Sequence, residues 1–425
     1  MIQTLKNAWK VEDVRKRLIF TFLMLVIYRL GNVIPVPFID ASVVEAVMTG
    51  QDNYLLQMLN TFAGGSLQSM SIFALSIYPY ITASIVMQLL TIAIPRLEEM
   101  ARDGEEGKRK MGKYTKVIGV VLALVQAYAI VMVLFGQAVA TGNFLSKAIM
   151  LLTLVAGTMF LVWLGEMITE KGVGNGISII IFFGIISGVP NQVKQTMAGF
   201  SVGHYAWWAM AILVLVSIVI LVIVIEINQG ERRIPVQYAK RVVGRKMYGG
   251  QSTHIPVKVN MSGVMPVIFS NAILQLPQLI ISLFGGSTPK WMEYLFGMNT
   301  LSGLIIYCLV NLFLIIVFAY FYSAVQFNTV EYAKNLQQYG GFIPGIRPGK
   351  PTGEFLQRIS SKITLIGAVI LAIIATAPFL VNYFLKLNLL FAGTSLIIVV
   401  GVILETIKQI ESMLTMRHYK GFLNK

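Results

Sequence analysis

The side chains that could do bond chemistry in this 425-residue chain stand where such chemistry is hard to build. Its four aspartates, Asp13, Asp40, Asp52 and Asp103, all lie outside the long apolar stretches, which excludes an intramembrane aspartyl dyad. His204, His254 and His418 are scattered in loops or towards the last residues, without metal-ligand spacing. None sits mid-stretch to serve a serine nucleophile. Cys308 is the lone cysteine, inside an apolar run, so no disulfide forms within the chain. Glu166, Glu226 and Glu405 fall near the ends of apolar stretches, where long side chains reach water, and Arg29 near the end of the first. No carboxylate is left at mid-depth for proton or sodium coupling. Two glycine-rich strings also fail as nucleotide loops. GVGNGIS, Gly172 to Ser178, follows no strand and reads as a tight turn. In GIRPGKPT, Pro344 stands where a phosphate loop needs its first glycine, and Pro351 where it needs Ser or Thr.

The elements that carry these residues are membrane helices. Hydrophobic residues make up 56% of the chain and charged ones 12%, where a soluble protein carries about 25% charged. That composition excludes a soluble enzyme, a disordered chain and a disulfide scaffold. Apolar blocks run approximately 18–36, 70–92, 117–137, 148–168, 177–197, 207–228, 264–284, 301–325, 362–384 and 390–409. A bilayer core of about 30 Å needs about 20 helical residues, which each block supplies. The first block is too long for a cleavable signal and runs into Pro35-Val-Pro37 without a small-residue cleavage site. The expected fold is an all-α polytopic membrane protein of ten transmembrane helices.

Charge gives the orientation. With the N-terminus taken as cytosolic, 29 of the 34 Lys and Arg fall in inside segments. Only Lys147, Lys194, Lys290 and Lys386 fall outside, so the positive-inside rule puts both termini in the cytosol. The net charge of +15 is therefore one-sided. Ten spans split five and five near residues 190–206, and an odd count per half permits inverted repeats. Three cytosolic loops are rich in charge. Arg96 to Lys116 is a mixed-charge run. Gln229 to Gly263 reads as a basic hairpin, with strand-like VQYAKRVV and THIPVKV about Gly249-Gly250. Asn328 to Ser360 holds Arg347 on a Pro- and Gly-stiffened exposed turn. These two long basic loops either enforce topology or form a docking surface. Outside, Tyr54 to Leu67 is apolar enough for a helix but too short to span, with Gly64-Gly65 positioned for a sharp bend.

Within the spans, Ile81/Ile85 and Ile177/Ile181 are i, i+4 pairs, each on one helical face. On their own they read as packing or lipid-facing residues. Thr82, Gln126 and Asn271 are neutral polar residues in three different spans, able to hydrogen-bond between helices.

Five strings resemble one family: PYITASIVMQLL (79–90), KGVGNGISIIIF (171–182), QSTHIPVKVNMSGVMP (251–266), PGIRPGKPTGEF (344–355) and AGTSLIIVV (392–400). Together they resemble the SecY family of bacterial protein-conducting channels, from end to end. The resemblance implies two inverted five-helix halves around a central pore. The halves would be 18–197 and 198–410, with a cytosolic segment 1–17 and a tail 411–425. It implies a pore ring of Ile81, Ile85, Ile177, Ile181, Ile268 and Ile398. A plug would lie near 55–67, with Leu55, Leu59, Asn60, Phe62, Gly64, Gly65 and Leu67. Thr82, Gln126 and Asn271 match the polar cluster of a lateral gate. Lys240, Arg241, Arg245, Lys246 and Arg347 resemble a docking site for ribosomes and the SecA motor ATPase. SecE and SecG subunits, signal peptides, nascent chains and membrane lipids are the further partners implied, with no cofactor and no metal. The implied location is the bacterial cytoplasmic membrane. One departure is that Gly244-Arg245-Lys246 replaces the GRR common in the family, and lysine is a point charge rather than a planar fork. The alternatives are an ion-coupled small-solute transporter, which needs mid-span charges, and an intramembrane enzyme, which needs catalytic residues. The sequence offers neither.

Overall fold

The computed structural model describes residues 8–50, 60, 63–139, 143–201, 207–238, 241–243, 246–248, 252–283, 300–385 and 393–423. Among these a helix falls on each of the ten apolar blocks, because only a helix pairs its own backbone in lipid. In chain order they are α1 (Glu12–Gly31), α3 (Tyr78–Ala93), α5 (Gly104–Tyr128), α6 (Phe144–Lys171), α7 (Gly176–Ser201), α8 (Trp207–Gln229), α9 (Met265–Leu283), α10 (Leu301–Gln326), α12 (Lys350–Leu385) and α13 (Thr394–Leu423). Short helices α2 (Ala41–Gly50), α4 (Pro95–Arg102) and α11 (Thr329–Gln338) lie between them. A π-helical turn, Ala129–Leu134, prolongs α5. Four described stretches are long and apolar enough to cross a membrane by length and composition: Gly104–Leu134, Phe144–Lys171, Leu301–Gln338 and Lys350–Val381. The pair α3 and α4, bent by 105°, makes a fifth if counted as one span.

The chain divides into two compact units. The first holds Met1–Trp207, Ala272–Tyr294 and Val402–Lys425, and the second Trp208–Asn271 and Leu295–Gly401. In the first, α3 packs along α5, α5 along α6, α6 along α7, and α1 against α6. The GVGNGIS turn is the corner joining α6 to α7. Gly174 has φ +82°, and Asn175 Oδ1 accepts from the backbone N–H of Ile177 at 3.1 Å, capping α7. From α1, Thr21 Oγ1 accepts from Val173 N at 3.1 Å, and Arg17 Nη1 donates to Gly172 O at 3.3 Å. A half-exposed ion pair, Lys116 Nζ to Glu166 Oε2 at 2.7 Å, joins α5 to α6. Outside the spans, Asp40 begins α2. Hydrogen bonds from the Ser42 hydroxyl and backbone hold its carboxyl below the usual range.

The second apolar block departs from its expected form. Only its part from Tyr78 is helical, and residues 63–77 are a chain of turns. Met70 at φ 45° and Ser76 at φ 53° break any helix there, and Pro79 suits the helix start that follows. The run is apolar because it is buried in protein: Leu67, Met70, Phe73, Ala74, Leu75 and Ile77 are all core residues.

In the second unit α10 packs along α12, and α11 against α12. A hydroxyl seam ties the first pair, with Ser323 Oγ 2.9 Å from Thr364 Oγ1 and 3.4 Å from Ser360 Oγ. The basic loop forms strands, but the expected run VQYAKRVV is divided between two of them. Strands β1 (Glu231–Tyr238) and β4 (Ser252–Lys258) pair antiparallel in the register Ile234↔Ile255, and β2 (Arg241–Val243) pairs with β3 (Lys246–Tyr248). A fifth strand, β5 (Gly341–Phe342), adds to β1, giving the order β4-β1-β5.

Glycine positions in the first unit give a stability test. A Cβ at Gly176 would overlap the carbonyl oxygen of Gly165, and one at Gly157 that of Ile72, whereas one at Gly112 meets nothing within 4 Å. Gly176→Ala and Gly157→Ala should each destabilise by about 1–3 kcal/mol or more, since backbone cannot yield as a side chain does. Gly112→Ala should be neutral or stabilising by about 0.5–1 kcal/mol. Thermal unfolding of the detergent-solubilised chain checks both directions.

Candidate functional site

Four of the six ring candidates lie in the first unit. Ile81 and Ile85 are one turn apart on α3, Ile81 half-buried and Ile85 buried. Ile177 and Ile181 repeat that spacing at the start of α7, again half-buried and buried. Ile177 Cγ1 lies beside Gly165 of α6, so the glycine sets how closely α7 can approach. Ile268 on α9, half-buried, and Ile398 on α13, buried, belong to the second unit. The residues of α3 carry no ionisable acid or base except tyrosine, and α9 carries none at all. Such surfaces can exclude water and enclose a chain, but cannot hold a charged group.

Of the plug candidates, Leu55, Leu59 and Phe62 lie outside the described residues. The others form a knot of hydrogen bonds. Gly65 N donates to Asn60 O at 2.9 Å, and Gln68 N donates to Asn60 Oδ1 at 3.0 Å. Gly64 and Gly65 take φ of +67° and +84°, which L side chains rarely adopt. Gly64 lies against α7: its carbonyl accepts from Ser187 Oγ at 3.5 Å, and an added Cβ would come within 3.0 Å of Gly184 backbone. Leu67 is buried in the core with Val44, Met48 and Met70.

The gate candidates are all buried. Thr82 on α3 donates to the Tyr78 carbonyl at 3.1 Å, and Gln126 lies on the neighbouring α5. Asn271, on α9 of the second unit, has a buried Oδ1 with no hydrogen-bond partner among the described residues. Leaving such an acceptor unpaired costs about 1–3 kcal/mol.

The described docking candidates lie in the two long basic loops. Lys240 and Arg245 lie outside the described residues; Arg241 begins β2 and Lys246 begins β3. The two long basic loops share a core of Ile234, Val236, Val257, Phe327, Leu336, Ile343 and Leu356. The β1–β5 pairing, Gln237↔Phe342 and Tyr238↔Gly341, joins them further. Arg347 is exposed on the next turn, where Gly345 and Gly349 have φ of +83° and +97°. Its carbonyl accepts from the buried Thr352 Oγ1 at 2.8 Å. Among the described residues Arg347 makes no ion pair, so its charge is available to a partner.

Comparison with known proteins places this arrangement. A SecY family model matches residues 71–407. The chain belongs to the SecY family. The protein translocase subunit SecY of Thermotoga maritima is 42% identical over 438 residues, covering 100% of this chain and 98% of that protein. A solved protein-conducting channel matches with a TM-score of 0.68 at 18% identity, covering 94% of this chain and 92% of that one. Sec61 in the canine ribosome–channel complex matches with a TM-score of 0.63 at 16% identity and the same coverages. At those identities the likeness is one of fold. In this SecY chain, sequence reasoning missed Gln68, Ser187 and β5. Two strand residues are too few to leave a period, and the other two carry no local pattern.

The contact between Gly64 and α7 can be probed with one introduced cysteine, because the chain has only Cys308 to remove. In a Cys308→Ser background, Ser187→Cys should react slowly with a membrane-permeant thiol reagent. Adding Gly64→Ala should raise that rate several-fold, because the new methyl and the strained φ push the two elements apart.

Proposed function

We infer that this chain is the channel subunit of a protein translocase, passing unfolded polypeptides across a membrane and releasing apolar segments sideways into lipid. The full-length match to a SecY protein carries this reading, and the absence of charged residues from α3 and α9 agrees with it. A translocating polypeptide presents every side-chain type, so a polar or charged filter would retain some of them. An aliphatic constriction binds nothing strongly and sheds water when empty, which resists ion leakage. In this reading Ile81, Ile85, Ile177, Ile181, Ile268 and Ile398 form that constriction and close around the passing chain. The segment 55–67 seals the outer side at rest. Thr82, Gln126 and Asn271 line a lateral opening, and their polarity sets how apolar a segment must be to open it.

The channel does no bond chemistry in this scheme, so the work comes from cytosolic partners. The basic module receives them, with Arg347, Arg241 and Lys246 joined by Lys240 and Arg245. The canine Sec61 neighbour lies in a ribosome–channel complex, and the basic module here suits ribosomes and the SecA motor. SecE clamping the halves and SecG beside them complete the assembly. In this reading the membrane is the bacterial cytoplasmic one, and the one-sided loop charges support both termini facing the cytosol.

Two outcomes test this. Ile85→Ser combined with Ile181→Ser should raise the resting ion conductance of the channel in planar bilayers several-fold; wild-type conductance would remove both residues from the ring. Arg347→Glu should weaken ribosome binding and motor-driven secretion while leaving thermal stability unchanged, since the side chain is exposed and unpaired. Binding and secretion at wild-type levels would exclude it from the docking surface.

A further inference from the structure

The knot at the plug's base continues outward, and that continuation involves a residue the channel reading leaves without a role. Gln68 uses its whole carboxamide. Its Oε1 accepts from Asn60 Nδ2 at 3.4 Å, while its Nε2 donates to Glu45 Oε1 at 3.4 Å. With the bond from Gln68 N to Asn60 Oδ1 at 3.0 Å, the two amides grip each other reciprocally.

The parts on either side of this grip are held differently. Glu45 stands on α2, which is tied down by Asp40 N donating to Ala138 O at 2.9 Å and by a bridge between Ile39 and Val139. The inner face of α2, Val44 and Met48, is buried with Leu67 and Met70. The chain after the glycine pair is equally fixed: Ser66 Oγ lies 2.7 Å from Ala63 O and 2.9 Å from Phe73 O, and Leu67 is 1% exposed. Among the described residues Asn60 has no such anchor, and its contacts there are the bond its carbonyl accepts from Gly65 N at 2.9 Å and the grip of Gln68. The bonds to Gln68 are half-buried or exposed, so water competes for them and the grip can release.

We propose that Gln68 is a positioning residue for the plug, clasping Asn60 and tethering it to Glu45 of α2 so that the channel stays shut at rest. The proposal rests on the reading of 55–67 as the plug. Releasing the clasp frees the chain at Asn60 while the buried anchor from Ser66 onward stays in place. Gln68 suits the position because one amide supplies the acceptor for Asn60 and the donor for Glu45. A carboxylate at this position would keep the first contact and turn the second into repulsion.

Resting conductance of the full channel in planar bilayers tests this. Gln68→Ala should raise it roughly three- to tenfold, the change in open fraction expected when one or two hydrogen bonds are lost. Gln68→Glu should raise it further, and Glu45→Lys in the same chain should return it towards wild type, a reversal that a general loosening of the fold would not give. Thermal unfolding of each variant should match wild type. Deleting residues 55–62 separates the two claims. If the deletion leaks while Gln68→Ala and Gln68→Glu conduct as wild type, the clasp is wrong and the plug stands. If the deletion does not leak, the plug reading fails and the clasp with it.

Discussion

Lipid offers no hydrogen bonds, so every backbone N–H and C=O at membrane depth needs a partner from the protein itself. Nine of the ten apolar blocks meet this with helix over most of their length. The second does so only from Tyr78, and the turns of residues 63–77 have to borrow partners. They find them in the same unit. Val36 N donates to Met70 O at 2.9 Å, Ile72 N to Ile34 O at 3.0 Å, and the Ser66 hydroxyl serves two carbonyls. Gly157 lets α6 come close enough to cover the Ile72 carbonyl. The irregular segment exists because neighbouring elements enclose it.

Water imposes the opposite constraint outside the spans, where strands are permitted and edges must be managed. β1 is the central strand, with β4 on one edge and two residues of β5 on the other. Those two residues turn two loops into one body, since the apolar sides of both converge on the core around Val236 and Leu356. The tight fit of Gly341 against Tyr238 and Leu336 admits no larger residue without a shift. Positive charge on this body is consequently held in fixed positions, where free loops would let it disperse.

Much of this was legible from residue order. The ten blocks, the turn at Gly172 to Ser178, the strand character of the basic loop and the exposed turn at Arg347 each follow from composition or from local turn chemistry. The start of α3 was not legible, because a buried irregular run and a helix of the same apolarity look alike when the period is ignored. Met70 and Ser76 give no warning of their positive φ. The pairing of β1 with β5 joins residues about a hundred positions apart, and only the fold brings Gln68 to Glu45. The roles of Ile268 and Asn271 follow from family resemblance; in isolation each is an ordinary membrane residue.

The helix α12 has a mechanical consequence. It begins at Lys350, three residues after Arg347, and runs 36 residues to Leu385, about 54 Å at 1.5 Å per residue. Its first turns belong to the basic module and its later ones to the membrane, with the hydroxyl seam to α10 between. Within the helix no proline falls between Pro351, at its start, and Pro378, near the far end. A push on the exposed turn would therefore be applied to the end of a stiff rod. It would reach the bilayer as displacement, in the way a tiller moves a rudder, and need no chemical messenger to carry it.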